Sequence, residues 1–259
     1  MDPSEIPDPL GGTDKNEPLT YYRTVIISDT HLGTRRCQAE KLLAFLHSFR
    51  ADNLYLLGDI LDFWEIGFTK YFPQQHWNVI RSLLGKAKHS TRVVYIPGNH
   101  DASVKRISPL ENLGNVSVLD RTEYVTAAGK RLLLFHGDFV DRYLFFMKNP
   151  LSKLIADLVY HLFAILDMMT KPLFPPHRTL LIMIQLGLVR LRDYSRRYRK
   201  TVVAYARDQG YDGVICGHDH SPAASDEEGF LYINCGDWVV NCTAAVEGED
   251  GEVRLVRYG

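Results

Sequence analysis

An α/β layered fold is predicted by three features of the sequence. Short β-branched apolar runs alternate with segments of helical periodicity. The C-terminal part reads as successive strands without intervening helices, which makes the sheet mixed, and one long helical segment interrupts the alternation. Val25-Ile26-Ile27, Leu54 to Leu57, Val93 to Ile96, Leu132 to Phe135 and Val214-Ile215 are each bounded by Gly, Pro or polar residues and read as buried strands. Between the first two, Leu42, Leu43, Phe45, Leu46 and Phe49 recur at helical spacing, and a second helix is expected around Trp77 to Lys88. Further strands are expected from Phe230 through Ala244 and from Val253 to Tyr258.

The interruption is the segment from about 143 to 200. Leu151, Leu154, Ile155, Leu158, Val159, Leu162, Phe163, Leu166 and Met169 trace an apolar stripe, Pro172, Pro175 and Pro176 break it, and a second helical run ends in Arg190, Arg192, Arg196, Arg197, Arg199 and Lys200. This reads as a helical insertion, or lid, with a basic end, in a domain covering 21–259. Its longest apolar run is far below the roughly 18 residues that cross a bilayer. The first 20 residues, rich in Pro, Gly and acidic residues and without the basic and apolar regions of a signal peptide, read as a disordered tail.

Composition narrows the class. With 259 residues and 46% hydrophobic residues the chain can bury the core of one large domain. A formal charge of -1 and a pI of about 6.8 argue against duplex nucleic acid as the main partner. Cys37, Cys216, Cys235 and Cys242 form no CxxC pair and read as reduced thiols of a cytoplasmic protein. The oligomeric state has no signature in the sequence.

The chemistry lies at the strand ends, in Ser28-Asp29-Thr30-His31, Gly58-Asp59-Ile60-Leu61-Asp62, Gly98-Asn99-His100-Asp101, His136-Gly137-Asp138 and Gly217-His218-Asp219-His220. In an open α/β sheet the carboxyl ends of the strands share one edge, so these groups converge in one crevice. Each motif alone has a plain structural reading: DTH is a common helix N-cap and GD a common turn. Five independent turns, however, have no reason to carry all of these side chains. Asp, His and Asn without cysteine suit Mn, Fe or Zn rather than a structural Cys-rich zinc site, and seven candidate ligands exceed the four to six that one ion takes, which points to two. The other histidines, His47, His76, His89, His161 and His177, read as surface or helix residues.

DTH, GDxxD, GNHD, HGD and GHDH, in that order, resemble the signature of the calcineurin-like metallophosphoesterases over about Val25 to His220. The resemblance implies a sandwich of two mixed β-sheets flanked by helices, with a dinuclear centre at one sheet edge. It implies that Asp29, His31, Asp59 and His220 hold one ion and Asp59, Asn99, His136 and His218 the other, Mn being favoured and Fe or Zn the alternatives. Two divalent ions bring four positive charges and only Asp29 and Asp59 offset them, which suits an anionic substrate. His100, outside the ligand set, would stabilise the phosphorane-like state or protonate the leaving oxygen. Asp62 and Asp101 would orient it or a ligand histidine, with turn stabilisation an equal alternative for Asp101.

GDILDFWEIG, HGDFVDRY and INCGDWV further resemble the branch that hydrolyses UDP-2,3-diacylglucosamine to UMP and 2,3-diacylglucosamine 1-phosphate in lipid A biosynthesis. The insertion fits that implication if its apolar residues line an acyl groove, each buried CH₂ contributing roughly 0.8 kcal/mol. Arg190, Arg192 and Arg196 would then face phosphate or the anionic inner membrane surface in peripheral contact. Simple packing of the stripe on the core is the alternative. Many enzymes of that branch carry arginine at the position of His100, which leaves open a sister group acting on another glycolipid, phospholipid or nucleotide pyrophosphate. A fold of this kind without activity, serving as a binding scaffold, is the reading of a different class.

Overall fold

The computed structural model describes residues 19–107, 112–141 and 194–259. By contacts the chain divides into two units, Met1–Gly137 with Val203–Gly259, and Asp138–Val202. The first unit holds twelve described strands, β1 Thr20–Ile27, β2 Phe49–Leu57, β3 Arg92–Ile96, β4 Asn112–Leu113, β5 Val116–Val118, β6 Thr122–Val125, β7 Arg131–Leu134, β8 Gly213–Cys216, β9 Ala223–Glu227, β10 Phe230–Asn234, β11 Thr243–Glu247 and β12 Val253–Arg257. It also holds the helices α1 Ala39–Ser48, α2 Phe63–Thr69, α3 Gln74–Lys88 and α4 Val104–Ile107. Of the second unit, α5 Phe139–Asp141 and the start of a helical stretch at 194–208 are described. Most of the expected tail and insertion, with Arg190 and Arg192, lies outside the described residues.

Two mixed sheets form, as expected of this class. One runs β12-β11-β1-β2-β3-β5-β4, the other β6-β7-β8-β10-β9. In the first, β1, β2, β3 and β5 are parallel, with Val25 beside Leu54 and Leu54 beside Val93; in the second, β7, β8 and β10 are parallel. Antiparallel strands close the edges.

Alternation along each strand builds two apolar layers. Val25, Ile27, Leu54, Leu56 and Val93 pack with Leu42, Phe45 and Leu46 of α1 and Val79 and Leu83 of α3. Ile26, Tyr55, Leu57, Val94 and Ile96 meet Leu132, Leu134, Ile215 and Ile233 of the other sheet. Strands buried on both faces therefore read as unbroken apolar runs. The helix expected to reach Phe49 stops at Ser48, because Phe49 is extended and opens β2. The other expected helix starts three residues early, at Gln74.

Phe45 is the hub of the outer layer, its ring centroid 5.0 Å from Phe49, 5.1 Å from Trp238 and 5.7 Å from Tyr258. Phe45→Ala is expected to cost about 3–5 kcal/mol, the range for emptying a buried aromatic site. A denaturant midpoint measured with an unchanged m-value checks this.

Candidate metal centre

Six strands deliver their carboxyl ends to this site. β1 ends before Asp29 and His31, β2 before Asp59, β3 before Asn99 and His100, β7 before His136, and β8 before His218 and His220. The sixth, β10, ends before Asp237, a residue outside the five motifs that marked the crevice in the sequence. Hydrogen bonds between consecutive loops fix their order: Asp29 N to Gly58 O at 3.0 Å, His31 N to Asp59 O at 2.9 Å, Gly217 N to His136 O at 3.0 Å and Trp238 N to Asp29 O at 3.0 Å.

Asp29, His31, Asp59, His218 and His220 all have positive φ, between 47° and 73°. Left-handed backbone in non-glycine residues is uncommon, and such strain collects where a site requires it. The loops also approach very closely. A Cβ on Gly98 would lie 2.6 Å from His136 Nε2 and strike Asp59 Oδ1, and one on Gly217 would strike Ser28 Oγ and Asp29 Oδ2. Alanine at either position would displace the side chains that surround the site.

The side chains fall into overlapping groups. Candidate ligand atoms of Asp29, His31 and His220 lie within 4.8 Å of one another, as do those of Asp59, His136 and His218, and those of His31, Asp59 and His100. Asp59 Oδ2 is 3.4 Å from His136 Nε2 and 4.0 Å from His31 Nε2, so it faces both of the first two groups. His220 Nε2 is 3.3 Å from Asp29 Oδ1 and 3.3 Å from His31 Nε2. The His136 and His218 rings are 5.1 Å apart.

Behind them stands a shell that orients the rings. His136 Nδ1 is 2.8 Å from Leu57 O, turning Nε2 toward Asp59. Asp62 Oδ2 lies 3.0 Å from Nδ1 of both His31 and His100, while its Oδ1 accepts from Glu65 N at 2.9 Å and caps α2. Asp237 Oδ2 is 3.8 Å from His220 Nδ1. Its carboxylate accepts from Val239 N at 2.7 Å and from Asn241 Nδ2, which also donates to His220 O at 3.0 Å. Asn234 Nδ2 donates to Gly217 O at 2.9 Å and Asp219 Oδ1 at 2.7 Å, holding the GHDH loop. His76, expected to be a plain helix histidine, is buried and its Nδ1 accepts from Gly33 N at 2.9 Å, tying α3 to the DTH loop.

Asp101 acts on backbone. Fully buried, it accepts from Gly98 N at 2.6 Å, Ile60 N at 2.7 Å, Leu61 N at 3.2 Å and the Tyr95 hydroxyl, which staples the GNHD loop to the GD loop. Asp101→Ala strands three amides and a hydroxyl. A loss of about 4 kcal/mol or more is expected, since each unsatisfied buried group costs roughly 1–3 kcal/mol; a thermal unfolding series reads it.

Charge is concentrated here. Burial pushes the Asp29 and Asp59 carboxyls up, but histidines outweigh it, His220 and His136 at Asp29 and His136, His100 and His31 at Asp59, leaving both below the ordinary carboxylate range. Asp62 is likewise held low by His100 and His31 against burial. Burial lowers His100 and His220, yet Asp62 and Asp59 raise the first above its ordinary value, and Asp29 takes the second to about 9. Carboxylates and imidazoles at this spacing hold one another as ion pairs that a cation can replace.

Whether a metal fits is tested by the oxygens. Buried Asn99 Oδ1 accepts no hydrogen bond among the described residues, and Asp29 Oδ1 faces the His220 ring at 3.3 Å. Buried acceptors are normally satisfied, and oxygens left open toward a ring of imidazoles have the chemistry of metal ligands. Arg196 is exposed on the helical stretch at 194–208.

The two-sheet sandwich and a strand-end cluster of Asp, Asn and His define a metallophosphoesterase. A model of the calcineurin-like phosphoesterase family matches residues 22–222, and the chain belongs to that family. Among curated relatives it is similar to a UDP-2,3-diacylglucosamine hydrolase of Tolumonas auensis, 32% identical over 44% of this chain and 46% of the relative, so that match spans about half the relative's length. The same-named protein of Haemophilus influenzae is 24% identical over 89% of this chain and 97% of its own, and that of Neisseria meningitidis serogroup B 28% over 87% and 93%. The family fold implies divalent metal ions, and the Asp and His clusters are placed to receive them.

Proposed function

We propose that this chain hydrolyses the pyrophosphate of UDP-2,3-diacylglucosamine, releasing UMP and 2,3-diacylglucosamine 1-phosphate, at a centre of two divalent ions. The observation that carries the hydrolase reading is the convergence of Asp29, His31 and His220 on one side and Asp59, His136 and His218 on the other, with Asp59 facing both. Asp29, His31, Asp59 and His220 would hold one ion; Asp59, Asn99, His136 and His218 would hold the other. Mn suits this mixture of carboxylate, carboxamide and imidazole. Such ions supply a neutralised phosphoryl group and water of lowered pKa when bound.

The remaining work falls to side chains. Asn99 offers an oxygen without negative charge, which preserves the attraction for an anionic substrate. His100, with Nδ1 3.0 Å from Asp62, presents Nε2 on the side of Asp59 and gives a proton to the leaving oxygen. Trp64, its ring centroid 4.1 Å from that of His100, backs the imidazole and limits its rotation. Asp62 and Asp237 keep His31, His100 and His220 turned inward. Arg196, together with Arg190 and Arg192, would take the substrate's anionic groups, and the protein would work in the cytoplasm against the inner membrane surface.

His100 itself favours a second reading, a sister activity on another glycolipid or nucleotide pyrophosphate, because histidine stands where many enzymes of the branch have arginine. Purified protein incubated with Mn, UDP-2,3-diacylglucosamine and a panel of other pyrophosphates separates the two. UMP release at a rate above the panel supports the first, preference for a panel member supports the second, and no hydrolysis by protein shown to carry metal overturns both.

A further inference from the structure

The segment from Phe63 to Trp77 does something the fold does not require: it leaves two tryptophans and a phenylalanine half or more in solvent. Trp64 is 54% exposed, Phe68 69% and Trp77 50%, and α2 buries none of its residues. These are three of the eight large apolar residues exposed among the described ones, and they fall within fourteen positions. Trp64 and Phe68 are four apart on α2 and so share a face, and Phe72 packs on Trp77 at 4.8 Å. Grouped exposed aromatics mark an interaction surface, whereas scattered ones need no explanation.

Exposed basic residues accompany this segment. Arg35 and Arg36 project from the loop after His31, both exposed, with the Arg35 guanidinium 4.5 Å from the centre of the Tyr71 ring; Lys70 is exposed at the end of α2. Glu65 is the one acidic residue between Phe63 and Trp77. Aromatic rings with arginine and lysine around them match the boundary of an anionic bilayer, where tryptophan sits at the headgroup level and basic residues meet lipid phosphate. The rim also abuts the metal centre: Asp62 caps α2, and Trp64 stacks on His100.

We propose that Trp64, Phe68 and Trp77, flanked by Arg35, Arg36 and Lys70, form a membrane-docking rim that seats the protein on an anionic lipid surface with the metal centre at its edge. The docking stands on its own; that it delivers an amphiphilic substrate rests on the proposed hydrolase function. The rim belongs to α2, the first turn of α3 and the loop after His31.

The protein contains three tryptophans, and the third, Trp238, is fully buried. Full-length protein is mixed with vesicles of phosphatidylcholine alone or with phosphatidylglycerol, with and without brominated acyl chains. Expected are flotation with the anionic vesicles that weakens with salt, and quenching by bromine that Trp64→Phe and Trp77→Phe each reduce. Phe68→Asp should lower the bound fraction about tenfold, the scale of losing one buried aromatic anchor, with hydrolysis of bis-p-nitrophenyl phosphate unchanged. Absence of flotation overturns the proposal. So does binding that spares both tryptophans from quenching, or shielding of both from acrylamide without lipid, which would mean that another part of the chain covers the rim. Loss of hydrolysis with docking intact would count against the hydrolase reading alone.

Discussion

Asp59→Ala is expected to bring hydrolysis of bis-p-nitrophenyl phosphate to background and to deplete both metal positions together. One carboxylate performs two tasks: Oδ1 accepts from His100 N at 2.8 Å, fixing the GNHD loop, and Oδ2 faces His136 at 3.4 Å and His31 at 4.0 Å. No other described carboxylate faces both ligand groups at these distances. Removing it takes away the anion that both ions would share and leaves several imidazoles facing one another. Asp59→Asn is the sharper variant, since it keeps the size and the Oδ1 contact while removing the charge. It should fold with an unchanged circular dichroism spectrum and still lose metal. Elemental analysis of the two purified variants gives the answer, and full metal content with a full rate in Asp59→Asn would end the shared-ligand reading.

How far such a site is legible beforehand depends on where the information is local. Parallel strands buried on both faces give unbroken apolar runs, so the polar residues after Ile27, Leu57, Ile96 and Cys216 stand out. That is why the residues of the crevice are readable without its geometry. The edges are different. β9, with the sequence Ala223-Ala224-Ser225-Asp226-Glu227, has no apolar run, because pairing with β10 rather than burial of its own side chains holds it extended. The partition of the strands between two sheets is equally non-local, and only the family resemblance supplied it.

Asp237 repeats the pattern of a Gly-Asp pair after a strand, so the sequence carries a signal for the sixth strand end. It carries none for α2. A seven-residue helix with no buried residue leaves no apolar stripe to find, although it carries Asp62 and Trp64 to His100. His76 looked like any helix histidine, and only the burial of Gly33 N against it reveals its part in holding the DTH loop. The left-handed backbone at Asp29, His31, Asp59, His218 and His220 was hidden for a related reason: glycine advertises positive φ, whereas Asp and His adopt it only when surrounding contacts insist.

His100→Ala is expected to separate chemistry from metal binding, retaining the ions but slowing turnover by roughly 10² to 10⁴, the usual contribution of one proton-transfer group. His100 lies at the third cluster, with Nε2 3.9 Å from Asp59 and Nδ1 3.0 Å from Asp62, while Trp64 covers one face of its ring. Burial works against its charged form, but Asp62 and Asp59 prevail and hold its pKa above the ordinary 6.5. A group that donates a proton must be protonated, so the parent rate should fall on the basic side as His100 loses its proton. His100→Gln preserves a polar side chain without a transferable proton at these pH values, and should lose both the rate and the basic-side fall. A merely structural histidine would give a different result, in which glutamine restores the rate and the pH profile keeps its shape. If His100→Ala turned over at the parent rate with its ions in place, the leaving oxygen would have to take its proton from solvent, and the contacts of Asp62 and Trp64 with this ring would serve only to shape the loop.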